Sequence, residues 1–153
     1  MRFACNKKGK CVKCGQCCHF RESFSFSAEE EDKLKRKLFE KTGVVYLFPW
    51  DRYTISVSEE EMNVMEKRAR DLKIKIKFIP KRIFVGVSDE VKVLDWSIDH
   101  DVCPFYDKLC LIYPDRPIVC QKFPERYELP FDKSLEKTSL SYDKALELAK
   151  KIL

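Results

Sequence analysis

The chain has 153 residues, enough to bury the core of one ordinary domain without disulfide staples. Its apolar content of 44% and aromatic content of 12% exclude a disordered chain. The formal charge of +5 comes from 30 basic and 25 acidic residues that are interspersed, which argues against a nucleic-acid partner. The longest apolar run, residues 44–48, is too short to span a membrane, and residues 1–10 lack a secretory signal. We therefore expect a cytoplasmic protein that does not contact a membrane.

Two helices are predicted by serines that are followed three residues later by glutamate. Ser27 is expected to start a helix that runs to Thr42 and ends at Gly43, and Ser58 to start a second one. Behind Ser58, apolar residues recur at helical spacing and predict a face packed on the core. These residues are Met62, Met65, Ala69 and Leu72.

A change of period then predicts strands. Residues 72–78 alternate apolar residues with lysines, as in a half-buried strand. Residues 82–87 and 91–96 predict two further strands, joined around residues 88–90 into an antiparallel hairpin. The prolines of residues 97–134 predict loops and short turns. A closing helix is indicated by Ala145, Leu148, Ala149 and Ile152. The fold class that follows is α+β, a small antiparallel sheet with flanking helices.

The eight cysteines fall into two groups, within residues 5–18 and 103–120. In a reducing cytosol such a density indicates metal ligation or catalysis before disulfides. The composition is rich in lysine and glutamate and poor in asparagine and glutamine. It therefore also points towards hyperthermophilic proteins, in which intracellular disulfides do occur.

The first group includes residues 11–18, with the sequence C-V-K-C-G-Q-C-C. Two residues between cysteines let both sulfurs bind one metal, and Gly15 supplies the backbone freedom that such a turn needs. Three cysteines at these gaps disfavour a simple redox dithiol. Because the side chains of neighbouring residues diverge, we do not expect Cys17 and Cys18 to serve one tetrahedral metal equally, which favours two metals or a multi-iron cluster. The run also opens a bacterial iron–sulfur pattern, which Cys103 with its following proline could complete.

The second group comprises Cys103, Cys110 and Cys120, with spacings too wide for one tight turn. These spacings fit a folded loop that brings distant ligands to a site begun near the N-terminus. We therefore expect a cysteine-rich, loop-built metal site that joins the N-terminal and C-terminal thirds of the chain.

Together the two segments resemble the CxxCxxCC family, the YkgJ-like zinc- or iron-chelating domain. Its pattern is matched in the first segment by Cys11, Cys14, Gly15, Cys17 and Cys18, and in the second by Cys103, Pro104, Phe105, Cys110, Ile112, Tyr113, Arg116, Pro117, Cys120, Phe123 and Pro124. Gln121 stands where the family usually has arginine, and Gly9 where an aromatic residue is usual. The resemblance spans residues 11–124 and implies metal binding, while the length and the lack of a linker predict that residues 1–153 form one such domain. It also implies the metal ligands Cys11, Cys14, Cys17, Cys18, Cys103, Cys110 and Cys120.

Two functions from different classes follow. The first is an iron–sulfur protein, with a cluster of the 4Fe-4S type used for electron transfer or as an accessory to a redox or modification reaction. Its partner would be a redox protein or another protein. The alternative is a zinc-stabilised module that recognises a protein or nucleic-acid partner. Neither the residues nor the resemblance assigns a reaction, and four glycines without a glycine-rich loop do not suggest a nucleotide cofactor.

Arg116 is the candidate for contact with a cofactor. Between prolines and among the ligands, its guanidinium could neutralise thiolate charge or donate to sulfur or to an anionic ligand. The alternative is an ion pair with Asp115 or Asp107 that braces the loop.

Three other residues near the cysteines have open roles. His19 and His100 could be nitrogen ligands, since imidazole suits zinc and iron, or they could be nearby donors or surface groups. Cys5 is an additional thiol, and its membership of the site stays open.

Overall fold

The computed structural model describes residues 27–47, 55–107, 110–122, 129 and 134–153. In chain order its elements are α1 (Ala28–Thr42), β1 (Val44–Tyr46), α2 (Glu59–Asp71), β2 (Phe78–Val85), β3 (Val91–Ile98), a 3-10 turn (Tyr113–Asp115), α3 (Ile118–Lys122) and α4 (Tyr142–Lys150). These helices and this small sheet confirm the predicted α+β class. Within the same residues, no helix has the length and apolar character that crossing a membrane requires.

Both predicted helix starts are confirmed by their caps. The hydroxyl of Ser27 accepts from the amide of Glu30 at 3.1 Å, and α1 ends at Gly43 in the left-handed conformation, with φ of 74°. At α2, Ser58 and Glu61 form a complete capping box. The Ser58 hydroxyl accepts from the Glu61 amide at 3.1 Å, and Glu61 Oε1 accepts from the Ser58 amide at 3.0 Å.

The strand predicted over residues 72–78 is wrong for residues 72–77, because the first strand after α2 begins only at Phe78. Leu72 ends α2 and is 39% exposed, so it does not belong to the buried face formed by Met62, Met65 and Ala69. Lys73 follows with φ of 56°, which turns the chain away from the helix axis. Residues 74–77 belong to no strand, although the Lys77 carbonyl accepts from the Asp99 amide at 2.9 Å. Their alternation reflects apolar side chains packed inward beside exposed lysines.

The sheet is antiparallel, in the order β1-β2-β3. It confirms the predicted hairpin, but β2 begins at Phe78 and ends at Val85 rather than spanning 82–87, and β3 continues to Ile98. The sequence did not predict β1, because three residues are too few to show a period.

The pairing of β2 with β3 is displaced by one residue at a single position. Lys81 is an extra residue on β2, and Leu94 is an extra residue on β3. Between these two bulges Arg82 lies opposite Asp95, and the original register then resumes. The displacement therefore changes which residues face which side of the sheet without changing the overall register.

One face of the sheet carries two apolar clusters, because directly paired residues share a face. The pairs Ile83–Val93 and Phe78–Ile98 lie on either side of the bulges and both point to this face. The α4 cluster consists of Phe39, Val45, Ile83, Val85, Tyr142, Ala145 and Ala149. The α2 cluster consists of Ile55, Val57, Met62, Met65, Ala69, Ile98, Cys103, Phe105 and Ile112.

The other face contains a buried ion pair between Arg82 and Asp95, which are 7% and 1% exposed. Asp95 Oδ2 accepts from Arg82 Nε at 2.9 Å, and Oδ1 accepts from the Arg82 amide at 3.0 Å. Arg82 Nη2 also donates to the carbonyl of Leu129 at 3.0 Å, which ties the sheet to a distant segment. Both charged groups therefore keep partners after leaving water.

The predicted closing helix is confirmed as α4, with Ala145 and Ala149 fully buried. Ile152 lies beyond its end and is 40% exposed, so it does not extend the apolar face. Arg36 of α1 packs over the ring of Tyr142 at 4.8 Å. Burial and, to a smaller extent, the Asp32 carboxylate raise the pKa of Tyr142.

Asp95→Asn tests the buried pair. The change leaves the Arg82 charge buried without its counter-ion, and we expect it to lower the free energy of unfolding by about 3–5 kcal/mol. The control is Asp99→Asn, because Asp99 pairs with Lys77 at 3.1 Å at a far more exposed site. That change should cost less than about 1 kcal/mol. Urea unfolding of both variants in the same metal state measures the difference, and equal losses would contradict a special role for the buried pair.

Candidate metal centre

The cysteine loop, defined as residues 103–107 and 110–122, is built from tight turns rather than from long elements. The carbonyl of Cys103 accepts from the Tyr106 amide at 3.0 Å, and Leu111 donates to the Phe105 carbonyl at 2.9 Å. A bridge between Tyr106 and Cys110 closes this turn. The predicted loops and short turns are therefore confirmed for this segment, and the closed turn relates Cys103 to Cys110.

The second half of the loop leads into the short helix α3. Ile112 accepts from the Asp115 amide at 2.7 Å in the 3-10 turn. The Pro117 carbonyl then accepts from the amides of Cys120 and Gln121 at 3.0 and 3.1 Å. Proline has no backbone N–H to donate, but here the carbonyl of Pro117 accepts two hydrogen bonds and starts a helical turn. The structure thus places Cys120 on a turn of helix.

All three distal cysteines contact the α2 cluster. Cys103 is only 8% exposed and belongs to the cluster itself, whereas Cys110 and Cys120 are half-buried and packed against it. The cluster also contains Phe105 and Ile112, which are 0% and 2% exposed. The same apolar surface therefore gathers thiols that are up to 17 residues apart in the chain.

Helix α2 holds the cysteine loop through two polar contacts as well as through the cluster. Glu61 Oε2 accepts from the amide of Ile118 at 2.7 Å. Arg68, two helical turns further along, places Nε 3.5 Å from Asp115 Oδ2 without a hydrogen bond. Sequence reasoning missed both contacts. The capping box pointed to Glu61, but nothing local pointed to its distant partner.

Arg116 braces the loop from inside. Its guanidinium stacks on the ring of Tyr113 at 3.8 Å, while Nε donates to the Tyr113 carbonyl at 3.1 Å and Nη1 to the Cys120 carbonyl at 3.5 Å. Gln121 donates to the Arg116 carbonyl at 2.7 Å. Among the described residues, Arg116 forms no ion pair with Asp115 or Asp107, so the bracing works through backbone carbonyls and stacking instead.

His100 has a structural contact. Its Nε2 accepts from the Lys77 amide at 2.9 Å, which joins the segment before β2 to the segment after β3. This hydrogen bond occupies the Nε2 atom of His100.

The whole first cysteine group, which includes Cys5, lies outside the described residues, and so does His19. The predicted ligands Cys11, Cys14, Cys17 and Cys18 are thus not placed. Across the part of the chain that the structure describes, no three His, Cys, Asp or Glu side chains are grouped closely enough to hold a metal. The shared cluster brings the distal cysteines to one surface without making a complete site from them alone.

The donor set suits a thiophilic metal. Thiolates select zinc and iron–sulfur clusters over hard cations such as magnesium. A thiolate at Cys103 would carry its charge into an almost fully buried, apolar position, which is unfavourable without a cation beside it. A bound cation would supply that compensation, so the residues present fit zinc or an iron–sulfur cluster.

The comparison with family models gives the class of the protein. The CxxCxxCC model, described as "Putative zinc- or iron-chelating domain", matches residues 10–144 of the 153. The chain belongs to this family, which confirms the resemblance seen in the two cysteine segments. The membership supports binding of zinc or iron. No curated protein and no solved structure matches the chain.

Arg116→Lys tests the bracing of the loop. Lysine keeps the charge but loses the planar stacking and the fork of N–H donors. We expect faster amide exchange at residues 113–121 and little change in the sheet. The control is Arg70→Lys, at an exposed position on α2. Hydrogen exchange followed by mass spectrometry measures both variants, and identical exchange in the two would contradict the bracing role of Arg116.

Proposed function

We propose that the chain binds a metal group through thiolates from both cysteine segments. The observation that supports this most directly is the position of the distal cysteines. Cys103, Cys110 and Cys120 share one apolar cluster, yet the described residues alone contain no complete ligand group. The missing ligands would come from Cys11, Cys14, Cys17 and Cys18, which the family pattern pairs with the distal segment.

We further propose that the metal group is an iron–sulfur cluster of the 4Fe-4S type. Support comes from the number of matched thiols, from the adjacent Cys17 and Cys18, and from the apolar surroundings of the distal cysteines. Hydrogen bonds to sulfur and solvent exposure set the reduction potential of such clusters. The dry side formed by Phe105 and Ile112 would limit water access to the cluster. Electron transfer, or support of a redox or modification reaction, is the role that follows.

Arg116 contributes charge to this proposal. Its guanidinium is fixed by the stack on Tyr113 and by two backbone carbonyls, and it is half-buried beside Cys120. A fixed cation here would offset part of the negative charge of a thiolate-ligated group.

Zinc is the second candidate, because the family description names it together with iron. In that case the protein would be a zinc-stabilised binding module whose surface recognises a partner. The two candidates differ in a directly visible property, because iron–sulfur clusters are coloured and zinc is colourless.

Anaerobic purification tests the identity of the metal and the shared site together. We expect brown protein that contains iron and acid-labile sulfide. Cys14→Ser and Cys120→Ser should each lower the metal content, because each removes a ligand from one site. Cys5→Ser, which lies outside the family pattern, is the matched control and should retain more metal. Colourless protein with zinc alone would favour the binding module, and full metal content in Cys120→Ser would contradict the shared site.

Removal of the metal tests which parts of the fold depend on it. The strands have their own core and buried ion pair, whereas the cysteine loop consists of proline-rich turns. Under reducing conditions a chelator should therefore leave a partly folded protein. We expect faster amide exchange over residues 101–122 and slow exchange over residues 78–98. Loss of protection across the strands would instead show that the whole fold depends on the metal.

A further inference from the structure

We infer that Glu61 is a positioning residue, whose carboxylate fixes the helical turn that carries Cys120 for metal binding. The inference rests on the proposed metal-binding function. Glu61 is not a candidate ligand, and neither cysteine segment includes it. Its position follows from the contacts of α2 with the cysteine loop.

One carboxylate serves two helix starts. Glu61 Oε1 accepts from the amide of Ser58 at 3.0 Å and completes the capping box of α2. Glu61 Oε2 accepts from the amide of Ile118, the first residue of α3, at 2.7 Å. The first amides of a helix have no partner within the helix, and a charged acceptor is a strong one. Glu61 therefore caps α3 from a position 57 residues away.

The contact matters for Cys120 because α3 has little support of its own. It has five residues, and so short a helix is not stable in isolation. Cys120 lies two residues after the capped amide, and its carbonyl accepts from Arg116 Nη1. Glu61 and Arg116 thus fix the backbone of Cys120 from its two sides. Loss of one of them should displace the thiol while the rest of the core stays packed.

Glutamine at position 61 separates the two functions of the carboxylate. Its carbonyl oxygen can still complete the capping box with Ser58, since glutamine serves in such boxes. Its other polar atom is an amide nitrogen, which cannot accept from Ile118. Glu61→Gln should therefore retain the α2 cap and lose the link to α3.

Two matched variants complete the set. Ser58→Ala removes the hydroxyl of the capping box but leaves the Glu61 carboxylate and the amide at position 58 in place. Glu60→Gln removes the same charge from the same helical turn, at an exposed position. We expect Ser58→Ala to lower the thermal midpoint of the metal-free protein by about 3 °C. Glu61→Gln and Glu60→Gln should each change it by less.

The probe is Co²⁺, titrated anaerobically into the reduced, metal-free full chain, with thiolate-to-cobalt absorption as the readout of sulfur ligation. We expect Glu61→Gln to weaken Co²⁺ binding about tenfold, with an altered absorption spectrum. Ser58→Ala and Glu60→Gln should match the wild type. Glu61→Asp keeps the charge but shortens the side chain, so it should show the same loss of Co²⁺ binding. It replaces Glu61→Gln as the test if the glutamine variant folds poorly.

The outcomes separate this inference from the proposed function. If wild-type protein gives no thiolate-to-cobalt absorption, the proposed function is overturned, and the inference with it. If the wild type binds Co²⁺ and Glu61→Gln matches Glu60→Gln, the positioning role alone is overturned. Weaker binding in Ser58→Ala, equal to that in Glu61→Gln, would show a general effect of α2 stability and would also overturn the positioning role.

Discussion

The buried pair of Arg82 and Asp95 is the constraint on which the sheet depends. A charge inside a protein is tolerated only where a partner of opposite charge and good geometry meets it. Regular pairing of the two strands would place Lys81, not Arg82, opposite Asp95. The displaced register brings Arg82 into place and then reverses. Apolar residues before and after the displacement therefore share one face, on which α2 packs and the cysteine loop is assembled.

Helix α2 connects this sheet to the cysteine loop. The loop contains three prolines within its described residues, and its turns cannot form a ladder with the sheet. Its support comes from the α2 cluster, from Glu61 and from the contact of Arg68 with Asp115. With this support, the thiols differ in how far they are exposed to solvent. Cys103 lies within the cluster and Cys120 at its border, so charge at the two sulfurs would be solvated to different extents.

Features with a local cause could be predicted from the sequence, and those with a distant cause could not. The helix starts at Ser27 and Ser58 depend on residues three positions away, and both were found. The sequence predicts two strands, 72–78 and 82–87, where the structure has the single strand β2. The reason is that the bulge at Lys81 changes the phase of the apolar residues in β2. The cysteines were recognisable by residue type and spacing, since thiolate chemistry is carried by the residues themselves. The bond from Ile118 to Glu61 spans 57 residues and has no local pattern.

The paired bulges also govern how this sheet can change length during evolution. Lys81 and Leu94 act as insertions that cancel each other, one on each strand. Deletion of either one alone would remove one bulge and leave the other uncompensated, with three residues on one strand and four on the other between the pairs Phe78–Ile98 and Ile83–Val93. Deletion of both would leave a regular ladder in which Arg82 still lies opposite Asp95. Loss of the two residues together would thus keep both the outer register and the ion pair, whereas loss of one alone would leave one strand a residue longer than its partner.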